Sequence, residues 1–138
     1  MASASPPSSM PTGLRAFVVE DETLVSMLLE DLLEELGCTV VGTAAQVARA
    51  LCLVDTIPAD IAIIDVNLAG EKSYPIAEAL QSHHIPFIFA TGYGDSLLHP
   101  KWQHCPVIQK PYQKSDLERA MTQVLADRRN TDQSLNSM

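Results

Sequence analysis

Side chains that can do chemistry stand directly after the short apolar runs of this sequence. They are Glu20 and Asp21, then Asp65, Thr91 and Lys110. Three carboxylates in one pocket repel one another by about 4 kcal/mol per pair at roughly 4 Å under an effective dielectric of about 20. Mg²⁺ relieves that repulsion, because it accepts carboxylate oxygens and can also bind a phosphoryl oxygen. Asp65 could then be a nucleophile that forms an acyl phosphate, with Lys110 balancing charge and Thr91 donating a hydrogen bond.

The apolar runs alternate with stretches in which apolar residues recur at helical spacing. Residues 16–19, 61–64 and 86–90 are continuous runs of strand length, which is typical of strands buried on both faces. Five such strands alternating with helices predict a doubly wound α/β fold with a parallel sheet. Because ligands collect beyond the carboxyl ends of parallel strands, the residues after the strands should meet at one edge of the sheet.

Taken in order along five strands, these residues resemble the signature of response-regulator receiver domains. The acidic pair is Glu20-Asp21, the phosphoacceptor Asp65, the switch hydroxyl Thr91, and the lysine Lys110, followed by Pro111. The resemblance spans essentially the whole folded unit. It implies a flavodoxin-like receiver fold, a five-stranded parallel sheet of strand order 2-1-3-4-5.

The same resemblance implies a role for each site residue. Asp65 takes the phosphoryl group, which Thr91 and Lys110 then contact. The implied Mg²⁺ ligands are oxygen atoms of Asp21, Asp65 and the carbonyl of Asn67. Glu20 is implied to act mainly through water. A cis peptide bond between Lys110 and Pro111 is also implied. On this interpretation the protein catalyses only its own phosphotransfer and dephosphorylation, and is otherwise not an enzyme.

Residues 89–93 read Phe-Ala-Thr-Gly-Tyr, which resembles a narrower receiver subgroup known chiefly from alphaproteobacteria. The subgroup implies a bacterial two-component system for stress or general signalling. Its phosphodonor is expected to be a histidine kinase or phosphotransfer protein, and its output a downstream protein target. A cytoplasmic location is expected.

Two positions depart from the receiver pattern. Val107 stands where an aromatic residue is usual, and Ala69 replaces a common proline. The side chain of valine is small and stiff, so the usual coupling of the switch threonine to a rotating ring is not expected. We expect activation instead to reorganise residues 92–105 and to change how Tyr93 or the pair 97–98 is presented to a partner.

Length and local composition predict one domain with two tails. With 138 residues, the chain is long enough for one core but too short for a receiver and a separate output domain. The receiver unit, expected to stand alone, is predicted at 14–126. Residues 1–13 are predicted to be a disordered tail and residues 127–138 a flexible one, because neither can bury much apolar surface.

Net charge and the length of the apolar runs argue against two classes of partner, and the cysteine pattern indicates the redox state of the thiols. Nine basic against seventeen acidic side chains give a formal charge of -8, which disfavours direct nucleic-acid binding. No apolar run reaches membrane-spanning length, so no membrane partner is expected. Cys38, Cys52 and Cys105 lie in apolar surroundings without a paired motif, which indicates buried, reduced thiols.

Three other functions are compatible with parts of the pattern. An aspartate-nucleophile phosphatase needs a second acid for proton transfer, but the residue in that place is Asn67, whose amide cannot supply a proton. A phosphorylation-independent interaction module with a receiver fold stays open, although the retained Asp65 and Lys110 argue against it. A flavodoxin-like cofactor binder is disfavoured because Glu20 and Asp21 would repel a phosphate.

Overall fold

The structure, a computed structural model, describes residues 11–92 and 98–136, with side chains described as far as Asp127. The strands are β1 (Arg15–Val19), β2 (Thr39–Ala44), β3 (Ile61–Asp65), β4 (Asn67–Leu68), β5 (Glu71–Lys72), β6 (Phe87–Thr91) and β7 (Val107–Gln109). The helices are α1 (Thr23–Glu35), α2 (Val47–Val54), α3 (Tyr74–Ser82) and α4 (Lys114–Asn136). A single 3₁₀ turn, Pro100–Trp102, precedes β7 in the described part.

Five strands form a parallel sheet in the order β2-β1-β3-β6-β7. This is the predicted order 2-1-3-4-5 and confirms the doubly wound α/β fold. In the centre of the sheet, Val18 pairs with Ile63 and Ile63 with Ile88. Every residue of β3 is buried, which explains why this strand lacks polar alternation.

Helices cover both faces of the sheet. One core cluster joins α2 and α3 to Phe17 and Val19, and the other joins α1 and α4 to Ala16 and Val18. Successive residues of β1 therefore point to opposite cores, as the two-residue period of a strand requires. The result is two apolar layers that fix the carboxyl ends of the strands at one edge.

A short hairpin, formed by the two-residue strands β4 and β5, follows the central strand β3. The sequence pattern does not predict it. Asn67 pairs with Lys72 and Leu68 with Glu71 in antiparallel register. The turn residues Ala69 and Gly70 have φ of 50° and 88°, the positive values that close a tight two-residue turn. Strands this short give no periodicity, and alanine is an unusual residue at positive φ.

The structure refines three other sequence predictions. Helix α4 continues past the predicted domain boundary at Ala126 to Asn136. Cys38 is buried as predicted, but Cys105 is only partly buried and Cys52 is exposed on α2. The sequence predicts that Tyr93 or the pair 97–98 contacts a partner after activation. Of these residues only Leu98 lies within the described part of the chain, and it is buried.

Within residues 11–92 and 98–136, no helix is both long enough and apolar enough to cross a bilayer.

Candidate functional site

The carboxyl ends of the strands bring the predicted site residues to one edge of the sheet. A cavity of about 540 Å³ opens there. Asp21, Asp65, Asn67 and Lys110 are among the residues that line it. These four side chains come from the β1–α1 loop, the end of β3, the hairpin and the residue after β7. The fold therefore brings Asp21, Asp65 and Lys110, which the sequence pattern placed after separate strands, into one cavity with Asn67.

Three carboxylates form a compact cluster at this edge. Glu20, Asp21 and Asp65 each offer one oxygen, and these oxygens lie within 4.8 Å of one another. Glu20 and Asp65 are buried, whereas Asp21 is exposed. Oxygen donors of this kind, with one ligand open to solvent, fit a hard cation such as Mg²⁺ that keeps part of its water shell.

Lys110 is the cation that the protein itself places in the cluster. Its Nζ lies 2.7 Å from Asp65 Oδ2 and 2.8 Å from Glu20 Oε1. Burial tends to lower the pKa of Lys110, but hydrogen bonds to Asp65 and Glu20 outweigh it and raise the pKa above its ordinary value. The lysine therefore stays charged while it bridges two acids.

The backbone of Lys110 is fixed by the neighbouring strand. Its N–H donates to the carbonyl oxygen of Thr91 at 2.9 Å, and the peptide bond to Pro111 is cis, as the receiver resemblance implies. Thr91 is half-buried at the end of β6, and its neighbour Gly92 lines the cavity. The predicted switch hydroxyl is thus carried on the strand that anchors the lysine.

Asp65 uses both carboxylate oxygens within the site. Oδ2 accepts from Lys110, and Oδ1 accepts from the backbone N–H of Asn67 at 3.2 Å. Burial raises the pKa of Asp65 to about 6, helped by the charge of Glu20 and opposed by Lys110. A carboxylate in this setting can act as a nucleophile, and the charge of Lys110 beside it favours its ionised form.

Glu20 has a buried partner that the sequence pattern does not predict. The hydroxyl of Tyr112 donates to Glu20 Oε1 at 3.3 Å, and the N–H of Glu22 donates to Oε2 at 3.0 Å. Burial raises the pKa of Tyr112, as do the charges of Glu20 and Asp65, so the hydroxyl keeps its proton. The only feature of the sequence that relates to this contact is the position of the tyrosine, two residues after Lys110.

Asp21 is held by the hairpin turn. Its Oδ2 accepts from the backbone N–H of Ala69 at 3.1 Å. The hairpin carries Asn67 on β4, where the half-buried residue lines the cavity beside Asp65. Asp21, Asp65 and Asn67 thus line the same cavity.

Comparison with known proteins gives a consistent family. The sequence model of the family described as "Response regulator receiver domain" matches residues 16–122. The solution structure of SdrG from Sphingomonas melonis Fr1 is 45% identical, with a TM-score of 0.77 over 84% of this chain and 99% of that chain. A structure of SdrG in its BeF3-activated conformation is also 45% identical, with a TM-score of 0.69 over 81% and 96% of the two chains.

Proteins named PhyR are also similar. The receiver domain of PhyR from Erythrobacter litoralis is 32% identical, with a TM-score of 0.72 over 83% of this chain and 91% of that one. The phyllosphere-induced regulator PhyR of Methylorubrum extorquens is 29% identical over 112 residues, which are 78% of this chain and 42% of that protein. The chain spans about half the length, or less, of the curated relatives it matches.

Proposed function

The chain belongs to the family of response regulator receiver domains, and we propose that it is a phosphorylation-dependent switch with Asp65 as its phosphoacceptor. The family assigns it to two-component signalling. The observation that carries the finer proposal is the contact of Lys110 Nζ with Asp65 Oδ2 at 2.7 Å inside the carboxylate cluster. An acid that only caps a helix has no need of a partly buried lysine partner.

Each site residue has a proposed part in the transfer. A carboxylate oxygen of Asp65 attacks phosphorus, and the bond from phosphorus to the donor's histidine nitrogen breaks, with its electron pair left on that nitrogen. The ammonium of Lys110 balances charge on the phosphoryl oxygens, and Thr91 donates a hydrogen bond to one of them.

The metal site uses residues that the structure brings together. Asp21, Asp65 and the carbonyl of Asn67 would hold Mg²⁺, with Glu20 acting through water. When bound, Mg²⁺ supplies positive charge to the carboxylates and to the phosphoryl oxygens. The three clustered carboxylate oxygens support this assignment.

A protein donor is favoured by the surface beside the cavity. Leu24, Met27 and Leu28 of α1 are spaced so that they share one helix face, and they are 80%, 55% and 43% exposed. Leu28 also lines the cavity, so this apolar face adjoins the phosphorylation site. Such a face is suited to a histidine kinase or phosphotransfer protein. We place this exchange in the cytoplasm, with a downstream protein as the target of the phosphorylated form.

The decisive experiment is phosphorylation by a small donor. Incubation with Mg²⁺ and acetyl phosphate should add the mass of one phosphoryl group to the wild type and nothing to Asp65→Asn. Asp116→Asn is a matched control, because this partly buried acid pairs with Arg119 on α4. If the wild type gains no phosphoryl group while binding its partners, the phosphorylation-independent interaction module is the better description.

A further inference from the structure

The carboxylate of Glu20 is buried, and both of its oxygens accept hydrogen bonds from the protein. Its side chain is 1% exposed. Oε1 receives both the ammonium of Lys110 at 2.8 Å and the hydroxyl of Tyr112 at 3.3 Å. Oε2 receives the N–H of Glu22 at 3.0 Å. Because an ionised carboxylate only accepts, the hydroxyl of Tyr112 must be the donor.

The two donors on Oε1 differ in what else they do. Lys110 also contacts Asp65 Oδ2 at 2.7 Å, and under the proposed function its charge is needed at the phosphoryl group. A lysine that turns towards that group weakens its contact with Glu20. A buried carboxylate that loses its donors is strongly destabilised. Glu20 therefore needs a donor on Oε1 that does not leave.

Tyr112 meets that need because its ring is fixed by packing. It lies in the core cluster that contains Leu117 and Met121 of α4, and it is 8% exposed. The ring follows Pro111, whose backbone has little freedom. The hydroxyl is thus held at one place relative to Glu20, whereas the long side chain of Lys110 can turn.

We propose that Tyr112 is a positioning residue for the metal site, which holds the Glu20 carboxylate in place while Lys110 is released. This inference rests on the proposed function. Without the hydroxyl, Lys110 becomes the side-chain donor on which Oε1 depends, and its contact with Glu20 tightens. Both effects oppose Mg²⁺ binding and phosphorylation. The loss of the hydroxyl leaves the Glu20 carboxylate less well positioned, and the tighter contact with Glu20 keeps Lys110 from turning towards the phosphoryl group.

The test compares two tyrosine variants of the full chain. Tyr112→Phe removes the hydroxyl but keeps the ring, and Tyr74→Phe is the matched control, because the Tyr74 hydroxyl accepts from the N–H of His99 away from the metal site. Mg²⁺ is titrated and followed by the amide NMR shifts of Val66 and Asn67. Tyr112→Phe should weaken the Mg²⁺ affinity about tenfold, and Tyr74→Phe should leave it unchanged.

A second pair of variants, made in a protein that lacks Glu20, distinguishes a positioning role of Tyr112 from a purely structural one. In Glu20→Ala, replacing Tyr112 by Phe should cause no further loss of Mg²⁺ affinity, because the carboxylate that it positions is gone. Unchanged affinity in Tyr112→Phe alone, or an equal loss with and without Glu20, would overturn the inference while leaving the proposed function intact. A wild type that binds no Mg²⁺ would overturn both.

Discussion

Asp65 is subject to two opposing requirements, ionisation and burial. A nucleophile must be ionised, yet burial raises the pKa of this carboxyl to about 6. The charge of Lys110 lowers this pKa, whereas the charge of Glu20 raises it. The site is therefore electrostatically unsatisfied in a way that a divalent cation relieves, which is a physical reason for a receiver to couple metal binding to phosphorylation.

The raised pKa of Asp65 predicts how stability depends on pH without divalent cations. The folded state binds this proton more tightly than the unfolded state, so the stabilisation is complete below pH 3.8 and is lost as pH rises through about 6. Asp65→Asn removes that loss and should raise the free energy of unfolding at pH 8 by about 1 to 3 kcal/mol relative to wild type. Urea denaturation in chelator at pH 4 and pH 8 measures it. An equal difference at both values would contradict the assignment.

Most of the candidate site can be predicted from the sequence, because its members follow apolar runs that are recognisable as strands. Asp65 and Lys110 follow directly from this rule. Tyr112 does not, since its hydroxyl reaches Glu20 across 92 positions of the chain. Only the docking of the loop before α4 against the end of β1 reveals that contact, and no local pattern encodes it.

At the scale of elements, the same contrast holds between the sheet and the hairpin. The continuous run of β3 predicts a strand because a fully buried strand needs no polar alternation. The hairpin leaves no such pattern, since β4 and β5 have two residues each. Its presence depends on Ala69 adopting a φ of 50°, which the sequence alone disfavours.

The hairpin also accounts for the departure from the receiver pattern at Ala69. A proline ring fixes φ near -65° and removes the N–H, so proline could neither adopt the observed φ nor donate to Asp21 Oδ2. Alanine keeps the donor at a conformational cost. In this chain the turn residue therefore helps to place a proposed metal ligand.

Two substitutions at Ala69 test this role. Ala69→Pro should lower the free energy of unfolding by about 2 to 3 kcal/mol and weaken Mg²⁺ binding, because both the turn and the contact with Asp21 are lost. Ala69→Gly keeps the N–H and suits a positive φ, so it should be as stable as wild type or more stable by about 0.5 kcal/mol. Urea denaturation and Mg²⁺ titration measure both. Equal Mg²⁺ affinity in the proline variant would show that the contact with Asp21 is dispensable.

Across the whole molecule, aromatic side chains connect the edge of the sheet that carries the candidate site to the segment before β7. Phe89 lies two residues before Thr91 on β6, and its ring packs edge-on against Tyr74 and Trp102, with centroids 5.9 and 6.1 Å apart. The hydroxyl of Tyr74 accepts from the N–H of His99, which ties α3 to the same segment. Val107 faces Phe89 across the β6–β7 pairing but is 44% exposed.

This arrangement predicts where activation is read out. If Thr91 moves towards the phosphoryl group, the shift in β6 passes through Phe89 and Trp102 to residues 98–105, because these rings are in direct contact. Beryllofluoride, which gave an activated conformation of the related SdrG, should therefore change amide NMR shifts and hydrogen exchange in 98–105, while α2 stays as it was.

A matched variant separates this route from one through β7. Val107→Ala should respond to beryllofluoride as the wild type does, because an exposed valine has no ring to move between buried and exposed positions. Trp102→Leu keeps an apolar side chain but removes the ring contact with Phe89, so its response in 98–105 should shrink while the shifts at Asp65 and Asn67 persist. A full response in Trp102→Leu, or a response lost in Val107→Ala, would place the output on β7 and not on the aromatic cluster.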